Sequence, residues 1–205
     1  MVHRKAVTHL KKSDSVMARI IAAVGPCRFA VRSEGTHYHA LFRAIQYQQL
    51  AGPAALAIHR RVQALYGGRD PTPDELLGTT DDALRGAGLS RQKLAYVRDL
   101  SARVTSGDVD MQGIEELPNA DIVARLTRVK GIGRWTAEMF LIFRLGRPDI
   151  LPDLDLGVRN AIKRAYRLRK LPSSERVHKI GAKWAPYRSI ATWYLWRSVD
   201  GDAEI

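Results

Sequence analysis

Apolar residues recur along this chain at intervals of three and four, the spacing that gathers side chains onto one face of a helix. The run SVMARIIAAV follows Asp14, a preferred helix cap, and is stopped by Gly25 and Pro26. The same spacing predicts helices over 37–50 and 53–66, broken at Gly52 and Pro53, with Gly67 and Gly68 closing the second. Short helices are expected at 74–77, behind Thr72 and Pro73, and at 81–85, behind Thr80. Ser90 is a plausible cap for a helix carrying Leu94, Val97, Leu100 and Val104, and further helices are expected over 119–129, 135–145, 156–167, 173–184 and 187–199. Segment 28–36 reads as a loop or a poor strand, and no stretch shows the alternation of a half-buried strand. The predicted fold class is all-α.

Charge changes this picture because it is unevenly placed. The formal net charge is +12, and residues 125–197 hold 17 Lys and Arg against 5 Asp and Glu, whereas the remainder is balanced. A basic excess confined to one part of the chain suits a polyanion, nucleic acid above an anionic membrane. Cys27 is the only cysteine, so no internal disulfide, iron–sulfur cluster or cysteine zinc site is expected, and a reducing compartment fits. No apolar run is long enough to span a membrane, and MVHRKAVTHLKKSD lacks the apolar core of an export signal, so neither a span nor export is expected.

The chemistry concentrates in LTRVKGIGRWTAEMFLIFRLGRPDILPDLDLGVR, residues 126–159. Gly131 and Gly133 flank Ile132, allowing a sharp turn whose N–H groups come close to another molecule. The following helix presents Trp135, Met139 and Ile142 on one stripe, with Thr136, Phe140 and Phe143 beside it, so the turn sits at a helix N-terminus, which favours anions. By itself a Gly-x-Gly is usually an ordinary turn. Its conjunction with the acidic pair Asp153 and Asp155 and with the local basic excess points to a grip on nucleic acid beside a carboxylate.

LTRVKGIGRWTAEMF and LPDLDLGVR resemble the helix-hairpin-helix DNA glycosylases, most closely the alkylation-repair branch of 3-methyladenine DNA glycosylase II type, in a short form without an N-terminal β domain. Gly88, Leu89, Ser90 and Lys93, the glutamines of AIQYQQL and the segment YRSIATWYLWR extend the likeness. The resemblance implies two helical lobes with the active cleft between them, one from roughly 52–146 and the other from 1–51 with 147–205. It implies a monofunctional glycosylase that excises alkylated purines such as 3-methyladenine and 7-methylguanine by water attack at the sugar C1′. Two other readings stay open: a non-catalytic helix-hairpin-helix DNA-binding protein, and a glycosylase for mismatched or oxidised bases.

Within the resemblance Asp155 is the catalytic residue, matched by its place before Leu-Gly-Val-Arg. A fixed carboxylate stabilises the positive charge that develops on the sugar and orients a water. Its plainer role is to cap the helix that starts at Leu156, and one residue can do both. Trp135 occupies the place where lyase-type relatives carry a catalytic lysine, so no Schiff base is expected. Trp135, Trp196 and Met139 are the expected base pocket, although aromatic residues on a helix are as often core; Met139 stands where the resembled enzyme has tyrosine. Gln48 and Gln49, with Gln49 as the wedge, and Lys130, Gly131, Ile132, Gly133, Arg134 and Thr136 are the expected DNA contacts. The carbonyls of Thr127, Val129 and Ile132 are the implied ligands of a structural Na+ or K+; no catalytic metal or other cofactor is expected. The implied partner is double-stranded DNA with a flipped damaged base, met by a monomer in the cytoplasm at the nucleoid, or in a nucleus.

Overall fold

The computed structural model describes residues 2–199, and these contain twelve α-helices, two single 3-10 turns and no strand. The chain divides into two compact units, Ser33–Phe140 and a discontinuous one made of Met1–Arg32 with Leu141–Ile205.

The continuous unit holds α3 (His37–Tyr47), α4 (Gly52–Ala64), α5 (Pro73–Gly78), α6 (Asp81–Gly86), α7 (Arg91–Thr105) and α8 (Asn119–Leu126), and α9 (Arg134–Phe143) begins in it. Its helix starts are set by local chemistry. Thr72 accepts the Glu75 N–H while the Glu75 carboxylate accepts the Thr72 N–H, a reciprocal cap, and Thr80 and Ser90 cap α6 and α7 in the simpler way. Leu41, Phe42 and Ile45 on α3, Val62 on α4, Leu76 on α5 and Val97 and Leu100 on α7 are fully buried and form the core.

The discontinuous unit holds α1 (Val2–Ser13), α2 (Ser15–Val24), α10 (Leu156–Ala165), α11 (Ser174–Gly181) and α12 (Arg188–Val199). Every residue of α12 from Ser189 to Trp196 is buried, because α1, α2 and α10 all pack on it. Asp14 ties the first and last parts of the chain: only 2% exposed, it caps α2 and accepts from the Trp184 indole N–H at 2.8 Å, from the Tyr166 hydroxyl and from the Lys183 ammonium at 3.2 Å. Burial pushes the Asp14 carboxyl up, but these donors together hold it below the ordinary aspartate value.

The boundaries expected near 51 and 146 fall instead after Arg32 and within α9 after Phe140. Helix α3 joins the continuous unit because its apolar face packs on α4 and α7, with the Tyr38 and Ser101 hydroxyls 2.8 Å apart. Residues 141–146 join the other unit, where the Arg32 N–H donates to the Phe143 carbonyl at 2.7 Å and the Arg144 guanidinium to the Arg32 carbonyl at 3.0 Å. Helix α1 lies in a stretch with too few apolar positions to announce itself; Ala6 and Leu10, four apart, supply its buried face. Segment 28–36 forms no strand, and α8 ends at Leu126, short of the expected 129.

Candidate active site

In the discontinuous unit, the residues around Asp155 form a built arrangement. Asp155 stands just before α10 with extended backbone, and its Oδ1 accepts the Val158 N–H at 2.7 Å and the Trp196 indole N–H at 2.9 Å. Two donors on one oxygen fix the orientation of the carboxylate. Trp196 is itself fixed: it is 7% exposed and stacks on Phe143 with ring centroids 5.7 Å apart and planes 20° from parallel. A Cβ on Gly157 would stand 3.0 Å from the Trp196 ring and 3.1 Å from Asp155 Oδ1, so a side chain there would crowd both groups. Capping and a held carboxylate are thus combined in Asp155. Trp196, expected as a base-stacking ring, has one face covered by Phe143 and its N–H spent on the carboxylate.

The segment leading to Asp155 is tightly braced. Asp149 takes a two-pronged pair from Arg188, Nε to Oδ1 at 2.6 Å and Nη2 to Oδ2 at 2.7 Å, which holds its carboxyl below the usual range. Ser189 receives the Ile150 N–H at 3.0 Å and donates its hydroxyl to the Arg147 carbonyl at 2.6 Å. Asp153, the rival carboxylate, is 1% exposed, accepts from the Ser174 hydroxyl and lies 3.6 Å from His178 Nε2, so it serves the fold. Leu154 and Leu156, by contrast, are 57% and 62% exposed on either side of Asp155. That pair, like Gly157 and Arg188, escapes a reading by helical periodicity. Its signal is two leucines alternating with an aspartate in a turn.

The hairpin belongs to the continuous unit. Gly131 has φ +82°, and a Cβ there would lie 2.1 Å from the Tyr96 ring, so both backbone and packing demand glycine. Gly133 meets nothing within 4 Å, and its lack of a side chain leaves open space outside the turn. The Lys130 N–H donates to Asp99 Oδ2 at 2.8 Å, while its ammonium stands 3.9 Å from Oδ1 and is largely exposed. Burial pushes Asp99 up, and the Lys130 N–H with Arg103 brings it below its ordinary value. Val129 and Ile132 are buried beneath the turn, and the Ile132 N–H donates to the Val129 carbonyl at 3.1 Å, which leaves that oxygen a second lone pair.

Three expected contacts are redefined by their surroundings. Gln48 donates its side-chain amide to the Gly131 carbonyl at 2.9 Å, bracing the hairpin from the end of α3. Lys93, whose burial lowers its pKa, donates to the Gln46 carbonyl at 2.6 Å and braces the same end. Thr136 is 7% exposed and so sits under the helix rather than on its surface, and Arg134 pairs with the buried Glu138 at 2.8 Å. The extended ψ of Gln48 ends α3 at Tyr47, and Gln49, which follows, is exposed and held at φ +57°, a left-handed conformation rare outside glycine. Trp135 is 48% exposed, with the half-buried Met139 one turn further along α9. Among the described residues no group of three or more His, Cys, Asp or Glu side chains could hold a metal, and no helix is long and apolar enough to cross a membrane.

Residues 42–187 match the model of the HhH-GPD superfamily of base excision DNA repair proteins. The chain is 37% identical over 199 residues to DNA-3-methyladenine glycosylase 1 of Schizosaccharomyces pombe, covering 95% of this chain and 86% of the relative. The 3-methyladenine DNA glycosylase Mag1 from that yeast, solved in complex with abasic DNA, superposes with a TM-score of 0.84 at 36% identity over 98% of this chain and 100% of that one. A DNA-3-methyladenine glycosidase from Bacillus halodurans gives the same TM-score at 34% identity, covering 95% and 89%. The hairpin and the held Asp155 carboxylate both lie within the matched residues, and the chain belongs to the HhH-GPD superfamily of base excision DNA repair proteins.

Proposed function

We propose that this protein is a monofunctional DNA glycosylase that removes alkylated purines, 3-methyladenine and 7-methylguanine among them, and so initiates base excision repair. The observation that carries the reading is the Asp155 carboxylate, oriented by Trp196 and the Val158 N–H, in a chain similar over nearly its whole length to 3-methyladenine glycosylases. Capping α10 needs only the Val158 N–H; the Trp196 indole N–H on the same oxygen adds an orientation that capping does not require.

Breaking the N-glycosidic bond leaves positive charge on the sugar. The Asp155 carboxylate stabilises that charge and orients the water that attacks C1′, with Trp196 as its positioning residue. One carboxylate suffices because an alkylated purine is already cationic and leaves without a general acid. Trp135 and Met139 are the residues assigned to the extruded base; an electron-rich indole attracts a cationic purine by about 0.5 to 2 kcal/mol. Gln49 enters the stack that the base vacates, and its outward, left-handed backbone suits a wedge. The hairpin turn and Lys130 hold a phosphate, and the carbonyls of Thr127, Val129 and Ile132 are the groups that would hold a monovalent cation, whose charge would add to the attraction for that phosphate. The protein acts as a monomer on duplex DNA, at the nucleoid or in a nucleus.

The test is a panel of duplexes, each bearing one damaged or mismatched base, scored for strand cleavage with and without alkali. Cleavage of alkylpurine duplexes only after alkali is expected, with no covalent complex trapped by borohydride because Trp135 cannot form a Schiff base. Exclusive action on oxidised or mismatched bases would overturn the substrate, and trapping would overturn the water mechanism.

A further inference from the structure

Lys93 belongs to a segment of the sequence, GLSRQK, that the chemistry at Asp155 does not use. Its backbone is fixed at the start of α7, where the Ser90 hydroxyl accepts the Lys93 N–H at 3.2 Å. Its half-buried stem carries the ammonium to the Gln46 carbonyl, 2.6 Å away. That carbonyl lies in the last turn of α3, the negative end of the helix dipole, where a cation is favoured. The same turn is gripped twice more. The Gln46 side chain is fully buried with Oε1 3.4 Å from His59 Nδ1 on α4, and the Gln48 amide donates to the Gly131 carbonyl at 2.9 Å. Gln49 follows directly at φ +57°, so the residue assigned to the wedge is the first one beyond three holds, from α4, α7 and the hairpin.

The hairpin is set by the same helix. Lys93, Tyr96 and Asp99 recur at intervals of three along α7 and so occupy neighbouring positions on one face. The Tyr96 ring lies against Gly131, and Asp99 accepts the Lys130 N–H at 2.8 Å. One stripe of α7 thus fixes the end of α3 through its first member and the hairpin turn through the other two, all within Ser33–Phe140. Extruding a base requires the wedge and the phosphate grip to act on one duplex at a set separation, and a misplacement of about 1 Å can cost about a hundredfold in rate. We propose that Lys93 is a positioning residue for base extrusion, its ammonium on the Gln46 carbonyl holding Gln49 at a fixed reach from the hairpin. The proposal rests on the glycosylase reading and gives a task to a residue which that reading leaves without one. A plain helix cap would serve stability alone, and coupling to Gln49 separates the two roles.

The test is a double-mutant cycle on the full chain with Lys93→Met, which keeps the stem and removes the donors, Gln49→Ala, and both together. For each, single-turnover excision is measured on a duplex bearing one 7-methylguanine, and fluorescence on a duplex with 2-aminopurine stacked beside an abasic site. Lys93→Met is expected to lower excision about ten- to a hundredfold, the range for one hydrogen bond to a charged group, while binding to the abasic duplex stays within about threefold of the parent. In the Gln49→Ala background the same change is expected to cost less than about threefold, because the residue it positions is already gone. Lys93→Arg, which keeps a charged donor, is expected to restore most of the excision, and Lys93→Gln carries the same cycle should Lys93→Met fail to fold. Equal losses with and without Gln49 would overturn the proposal and leave Lys93 a helix cap, as would excision by Lys93→Met at the parent rate. The fluorescence is expected to rise with the parent, as the wedge breaks the stack, and not with Lys93→Met or Gln49→Ala. No rise with the parent, or an equal rise with Lys93→Met, would also overturn the proposal. Absence of excision by the parent would count against the glycosylase reading alone, since the abasic duplex reports the wedge without catalysis.

Discussion

Replacing Asp155 by asparagine separates the two duties of this residue. Asparagine caps a helix as well as aspartate does, and its amide oxygen can still accept from the Val158 N–H and the Trp196 indole N–H now bound by Oδ1. Stability should therefore change by less than about 0.5 kcal/mol, whereas Asp155→Ala removes a cap worth about 1 kcal/mol. What Asp155→Asn loses is the negative charge. A carboxylate about 4 Å from a developing unit charge contributes about 4 kcal/mol at an effective dielectric of about 20. At about 1.4 kcal/mol for each factor of ten, excision should fall about a thousandfold. Single-turnover release of 3-methyladenine, beside urea unfolding and binding to an abasic duplex, measures all three quantities. Excision within tenfold of the parent, with folding and binding intact, would refute the role given to the charge.

Trp196→Phe keeps a ring against Phe143 but deletes the N–H given to Asp155, so single-turnover excision should drop about ten- to a hundredfold, the value of about 1.5 to 3 kcal/mol for a hydrogen bond to a charged group, with KM little changed. Gln49→Gly should relieve the left-handed backbone, raising the urea midpoint by the equivalent of up to about 1 kcal/mol, while excision falls because the wedge is gone; a loss of stability would refute the strain. The lowered Asp14 carboxyl adds stability above its unfolded value, near 3.8, and that stability disappears as the pH falls through the folded value. Asp14→Asn should be less stable at neutral pH by about 1 to 3 kcal/mol and flatter on the acid side, measured by urea unfolding across pH.

The helices were legible because their caps and glycine stops are local: Asp14, Thr72, Thr80 and Ser90 each cap the helix that follows them. Asp155 could be chosen over Asp153 only through the family motif, since both are aspartates in one short turn; the structure then gives Asp153 to Ser174 and His178. Partners distant in sequence left no local trace. Tyr96 against Gly131, Gln48 on the hairpin, and Phe143 under Trp196 are set by tertiary packing, which spacing along one helix cannot report. The unit boundaries were misplaced for the same reason: the side of a break to which α3 belongs depends on what its buried face meets.

The interrupted construction of one unit has a consequence for biosynthesis. Its first two helices leave the ribosome early, yet the surface they cover belongs to α12, which begins at Arg188. At about 5 to 20 residues per second, α2 waits roughly 8 to 30 s for that partner. Ser33–Phe140 is complete well before then and can condense first. Through this interval α2, which carries Ile20 and Ile21, lacks the α12 surface on which it packs, so this part of the nascent chain is open to aggregation and to chaperones.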